Sequence, residues 1–307
     1  MIERLVGRRP APAPAQRPTR WWLDTLRRRR ERMYEEKLDL STPIVWESEA
    51  EQRAAIAFFN AAFRAEESGL KQAHELAGVV ERWDPELAEC LRLYGDEEGW
   101  HRELLTEFLA YLGGQIKPMG KVTGTFYRLY GRAERMDTIV LTNLMFETIG
   151  STTYRLALRR ARHPAVRSML TILTRDESFH VPLNVHFLRE LLAHERAQHG
   201  LAASLFAKGR LQGLYHLLFV SLLGSAWASR RRALEFDKIP FPVLSKAYAE
   251  QLARLFLHEH DLGLRPPSVL LAAMGFERKQ LRTGDSAVSV EAAEAAADRT
   301  QVQVTAL

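Results

Sequence analysis

The chain has 307 residues, 46% hydrophobic and 26% charged, with a net charge of +5; that is enough apolar material for one large core or two modest domains. Its single cysteine, Cys90, excludes a disulfide framework and any all-thiolate metal cluster within one chain, and fits a reducing, cytoplasmic setting. Nine arginines against two acids in residues 1–30 carry the basic balance, so the remaining body is slightly acidic and is not expected to bind nucleic acid.

Residues 1–46 read as a basic arm. Its opening, MIERLVGRRPAPAPAQRPTR, is rich in Pro, Ala and Arg, predicts disorder, and lacks the apolar core of a secretory signal. WWLDTLRRRRERMYEEKL follows and predicts an amphipathic helix with Trp21, Trp22 and Leu26 on its apolar side. Two uses are open: a solvated basic helix tucked against the body by its tryptophans, or peripheral docking onto an anionic membrane surface or an acidic carrier protein.

Residues 47–281 predict one all-α domain. Four long helices are expected over about 48–80, 85–112, 137–161 and 164–193. Asp84-Pro85 and His163-Pro164 open the second and fourth, and Gly113-Gly114 closes the second. The first and third inter-helix links are short, so the helices form two antiparallel hairpins. Between them runs a long crossover, about 113–136, punctuated by Pro118, Gly120, Gly124 and Gly131. Pro182 is expected to kink the fourth helix. Further helices are expected over about 209–235 and 243–262. The first of these contains LYHLLFVSLLGSAW, apolar nearly all round, which reads as a buried packing helix because it is shorter than a membrane span and carries His216. Residues 282–307 predict a disordered tail.

Polar residues interrupt the apolar stripes of all four long helices. In RLYGDEEGWHRELLTEFL, Glu98 and His101 sit in line with Leu91, Tyr94, Leu105 and Phe108. In TRDESFHVPL, Glu177 and His180 share a stripe with Val166, Leu170, Leu173 and Phe187. Glu-x-x-His places both side chains on one helix face, where they can grip one ion. One such pair is expected by chance in a chain of this composition; two, both on the second helix of a hairpin and both preceded by an acid (Glu97, Asp176), are not. The third helix supplies one inward acid, Glu147. The first supplies Glu66, centred on the stripe, with Glu67 at its edge as the alternative. Four carboxylates and two imidazoles suit a pair of iron ions, with manganese as the other occupant, rather than structural zinc. A buried ion-pair network fails for want of cations in the same stripes.

Over residues 50–195 the pattern E…E-x-x-H…E…E-x-x-H resembles the ferritin-like diiron carboxylate proteins. DEEGWHRELLTEFLAYLGG and LTRDESFHVPLNVHFLRELL look like the metal-binding helices of acyl-carrier-protein desaturases, and a similar likeness extends to demethoxyubiquinone hydroxylases. The resemblance implies a ferritin-like four-helix bundle with additional C-terminal helices, O₂ activation at two irons bridged by glutamates, and Glu97 and Asp176 as partners of the ligating histidines.

Other members of that class fit less well. A rubredoxin-type module needs four cysteines. The radical tyrosine of the ribonucleotide reductase radical subunit is replaced by Leu105, and the additional histidine of arylamine N-oxygenases by Leu173. The expectation is therefore an O₂-dependent oxygenase, hydroxylase or desaturase. It would act on a hydrophobic or acyl-type, carrier-tethered substrate, take electrons from an external reductase, and be able to form a homodimer. Ser151, one turn beyond Glu147, is the candidate catalytic hydroxyl. The alternative is a ferritin- or rubrerythrin-like bundle that handles iron or scavenges peroxide without organic turnover.

Overall fold

The computed structural model describes residues 17–118, 135–259, 262–265 and 267–273. The start of the expected arm, most of the crossover and the expected tail lie outside them. Every regular element among the described residues is helical: α1 (Thr19–Met33), α2 (Glu49–Val80), α3 (Pro85–Tyr111), α4 (Met136–Leu158), α5 (Pro164–Asp237), α6 (Phe241–His258) and α7 (Ser268–Ala273).

Local chemistry fixes the boundaries that matter. Ser48 accepts a hydrogen bond from the Glu51 amide at the start of α2, and Asp84 accepts one from Leu87 at the start of α3 with Pro85 in the first turn. After α3, Gly113 adopts φ 75°, a left-handed turn that glycine tolerates best. His163 caps α5 through its ring nitrogen. α2 packs along α3, and α4 along the first part of α5. α4 stops at Leu158 rather than near 161, because Pro164 begins the next helix and the chain needs the intervening residues to turn.

α5 runs through Pro182 with helical dihedrals and breaks instead at Gly200 (φ 79°, ψ −176°). Glycine is the residue able to leave the helix there at least cost. Beyond the break, Leu211, Tyr215, Leu218 and Phe219 are buried, and Tyr215 packs on Phe256 of α6 at 4.2 Å. The opposite face of this segment is open, so it is a half-covered helix and not the fully buried one expected from its composition.

α1 lies on α3, with Trp22, Leu23 and Leu26 buried; burial of each such side chain stabilises by about 1.5–3 kcal/mol. Cys90 sits beneath it, fully buried, its thiol pointing at the Thr19 carbonyl and pushed up to about 12 by burial. Two apolar clusters fill the interior. One contains Leu91, Tyr94, Leu144 and Phe187; the other contains Phe59, Leu105, Phe108 and Leu170. The polar positions of α3 lie between these layers.

Candidate metal centre

Four helices bring six side chains together: Glu66 from α2, Glu98 and His101 from α3, Glu147 from α4, and Glu177 and His180 from α5. They form two groups, each with its donor atoms within 4.8 Å of one another: Glu66, Glu98, His101 and Glu177, and Glu98, Glu147, Glu177 and His180. Glu98 and Glu177 belong to both. All six are buried, Glu147 being the most open at 9%. These groups can hold metal ions.

The imidazoles are oriented by their outer nitrogens. His101 Nε2 is 3.1 Å from Asp176, and His180 Nε2 is 3.0 Å from Glu97. A carboxylate accepts, so each Nε2–H donates outward and each Nδ1 is turned toward the inner acids; against burial, the hydrogen bonds and charges of the surrounding acids hold both imidazoles well above the usual histidine range. On the inner side His101 Nδ1 lies 3.3 Å from Glu66, and His180 Nδ1 lies 3.2 Å from Glu98 and 3.4 Å from Glu177. Glu98 Oε1, Glu177 Oε1 and His180 Nδ1 have no hydrogen-bond partner although fully enclosed. Buried polar atoms left without a hydrogen bond are costly alone, and a cation among these carboxylates would satisfy them.

Electrostatics point the same way. Burial, then the charge of Glu98, holds Glu66 well above the usual carboxylate range; burial, then Glu177, does the same for Glu147. Burial also raises Glu98, but the hydrogen bond from Glu66 and the charge of His180 outweigh it and bring Glu98 down to about 2.

The outer carboxylates are anchored from α1. Arg29 donates to Glu97 at 2.9 Å and to Asp176 at 2.8 Å while lying over the Phe179 ring at 4.2 Å. Arg175 donates to Asp176 at 2.7 Å and reaches Glu36 with both terminal nitrogens. Against burial, these cations hold Asp176 well below the usual range. Tyr94 donates to Glu147 at 2.6 Å and packs edge-on to His180.

The carboxylate side opens onto a small cleft between α2 and α4, lined among others by Ser68, Gly69, Phe146, Gly150 and Tyr154. The fit at Gly69 is tight: a Cβ would lie 3.1–3.3 Å from the Glu98 carboxylate and its Cγ.

Of the sequence-derived candidates, Glu66, Glu98, His101, Glu147, Glu177 and His180 converge, and Glu97 and Asp176 contact the two histidines. Glu67 does not join them; it turns outward and pairs with Arg64. Ser151 is also not at the cleft: although buried, its hydroxyl donates to the Thr148 carbonyl 3.2 Å away in its own helix. Arg29, Arg175 and Tyr94 escaped the sequence reading. Tyr94 looked like any apolar stripe residue, and nothing in the Arg27–Arg30 run singles out the one that points inward. No protein-family model, curated protein or solved structure matches this chain.

Proposed function

We propose that the chain is a non-haem dinuclear iron oxidoreductase that uses O₂ to oxidise a hydrophobic organic substrate. The observation that carries this reading is the sharing of Glu98 and Glu177 by two four-ligand groups whose histidines both turn Nδ1 inward. Glu66 and His101 would complete one iron site, and Glu147 and His180 the other; manganese is the alternative occupant. Bound iron would supply O₂ activation. The chain's own residues do the rest. Asp176 and Glu97 hold the imidazole protons at Nε2, Tyr94 orients Glu147, and the apolar layers on either side exclude water from the ligands. Among the described residues, those lining the cleft include no Lys or Arg to hold a carboxylate or phosphate, which favours an uncharged reacting end on the substrate. Electrons would come from a separate reductase, and the same reading groups the chain with ferritin-like diiron carboxylate proteins.

Anaerobic loading with ferrous iron, followed by O₂ and reductant, tests this. About two irons per chain are expected, lost when Glu98 and Glu177 are both changed to Ala, with O₂ consumption stimulated by apolar organic compounds. Equal loading of that double variant would refute the site. Mineral growth well beyond two irons would favour the storage alternative.

A further inference from the structure

Past Gly200, α5 presents a continuous apolar face to solvent. Phe206, Leu217, Val220 and Trp227 are 77%, 64%, 56% and 68% exposed. They are joined at three- and four-residue steps by Gly209, Gly213 and Gly224, at each of which a Cβ would meet nothing within 4 Å. From Phe206 to Arg231 this face is about 37 Å long at 1.5 Å per residue. A soluble surface helix normally turns polar residues outward, and a contiguous apolar stripe of this length marks an interaction surface.

The charges say what kind. Between Leu201 and Leu234 there is no acidic residue, whereas Lys208, Arg210, Arg230, Arg231 and Arg232 are all basic. Arg210 is engaged with Asp137, and Arg230 with Asp237. Arg231 and Arg232 stand exposed at the end of the stripe, one turn beyond Trp227. The segment is apolar enough to cross a bilayer by composition. Its other face, however, is sealed by α6, and Gln212 exchanges two hydrogen bonds with the Arg265 backbone. A helix covered by protein along one side cannot be surrounded by lipid. We propose that the segment Leu205–Arg232 lies flat on an anionic membrane surface. The apolar stripe would sit in the headgroup–acyl boundary, Trp227 at its edge, and Arg231 and Arg232 on lipid phosphates. This inference does not depend on the metal centre.

The full chain should co-sediment with phosphatidylcholine–phosphatidylglycerol vesicles at low salt, and about tenfold less with phosphatidylcholine alone. The triple variant L217Q/V220Q/W227Q, altered only at exposed positions and checked for unchanged circular dichroism, should lower partitioning at least about tenfold. The double variant R231Q/R232Q should lower only the preference for anionic lipid. Failure to bind either vesicle would overturn the proposal. So would binding left intact by the triple variant, which would place the contact elsewhere, the basic arm included. A dimer in sedimentation equilibrium that the triple variant dissociates, with no vesicle binding, would assign the face to a second copy instead.

Discussion

On its histidine side the carboxylate cluster is closed. His101 and His180 are fully buried, their outer nitrogens are bound by Asp176 and Glu97, and both acids are clamped by Arg29 from α1. On the α2–α4 side the same cluster is open, with carboxylates facing a cleft edged by Gly69 and Gly150. The closed side spends charge pairs and a whole additional helix on holding two imidazoles still; the open side uses the smallest residues available and leaves space. Rigidity is placed behind the cluster and access in front of it, the division that the proposed metal site would require.

The sharpest way to break the closed side is Arg29→Ala. It leaves Glu97 with only His180, and Asp176 with Arg175 and His101, both acids deeply buried. A loss of about 3 kcal/mol is expected, read as a lowered melting temperature, with Arg29→Lys recovering part of it. An unchanged melting temperature would mean that α1 is an ornament on the bundle.

A pH series probes the seat of α1. His186, buried beneath Trp22 and bonded to Thr19, is brought down to about 4 by burial and then by Arg189; Glu190 lies 3.8 Å away, itself raised by burial. The folded chain therefore keeps this imidazole neutral while the unfolded chain protonates it below about 6.5. Its contribution is fully present above about pH 6.5 and declines as pH falls toward 4, by about 2 kcal/mol between pH 7 and 5. Other buried acids titrate in the same range, so the readout is the difference between the chain and its His186→Gln variant. The variant should lose stability less steeply on acidification; parallel curves would remove His186 from the account.

The smallest effect on stability is expected at the open side. Gly69→Ala adds a methyl against the Glu98 carboxylate, but alanine is the better helix former by about 1 kcal/mol. The melting temperature should move little while retained iron falls several-fold, measured by elemental analysis. Full iron retention would show that the cleft has more slack than its geometry indicates.

Much of this was legible in the sequence because it obeys helical spacing. The Glu-x-x-His pairs, Glu147 and the choice of Glu66 over Glu67 follow from which positions continue an apolar stripe, and Asp84-Pro85 and His163-Pro164 announced their helix starts. What was illegible depends on which surfaces meet. Arg29 is one arginine of a run until α1 is docked. Ser151 looked promising by its distance from Glu147 along the chain, yet its hydroxyl has a nearer partner in its own backbone. The stretch after Gly200 is apolar on every side, so composition alone cannot say that α6 covers only one of them.

The position of Cys90 gives the closed side a gauge of its own. It is the chain's only thiol, fully buried under Thr19 and Trp22, and at a pKa of about 12 it is almost wholly un-ionised near neutrality. An alkylating reagent can reach it only when α1 lifts, and can react only once exposure restores an ordinary thiol pKa. The rate of modification therefore counts the openings of α1 directly, in the native protein and without an added label.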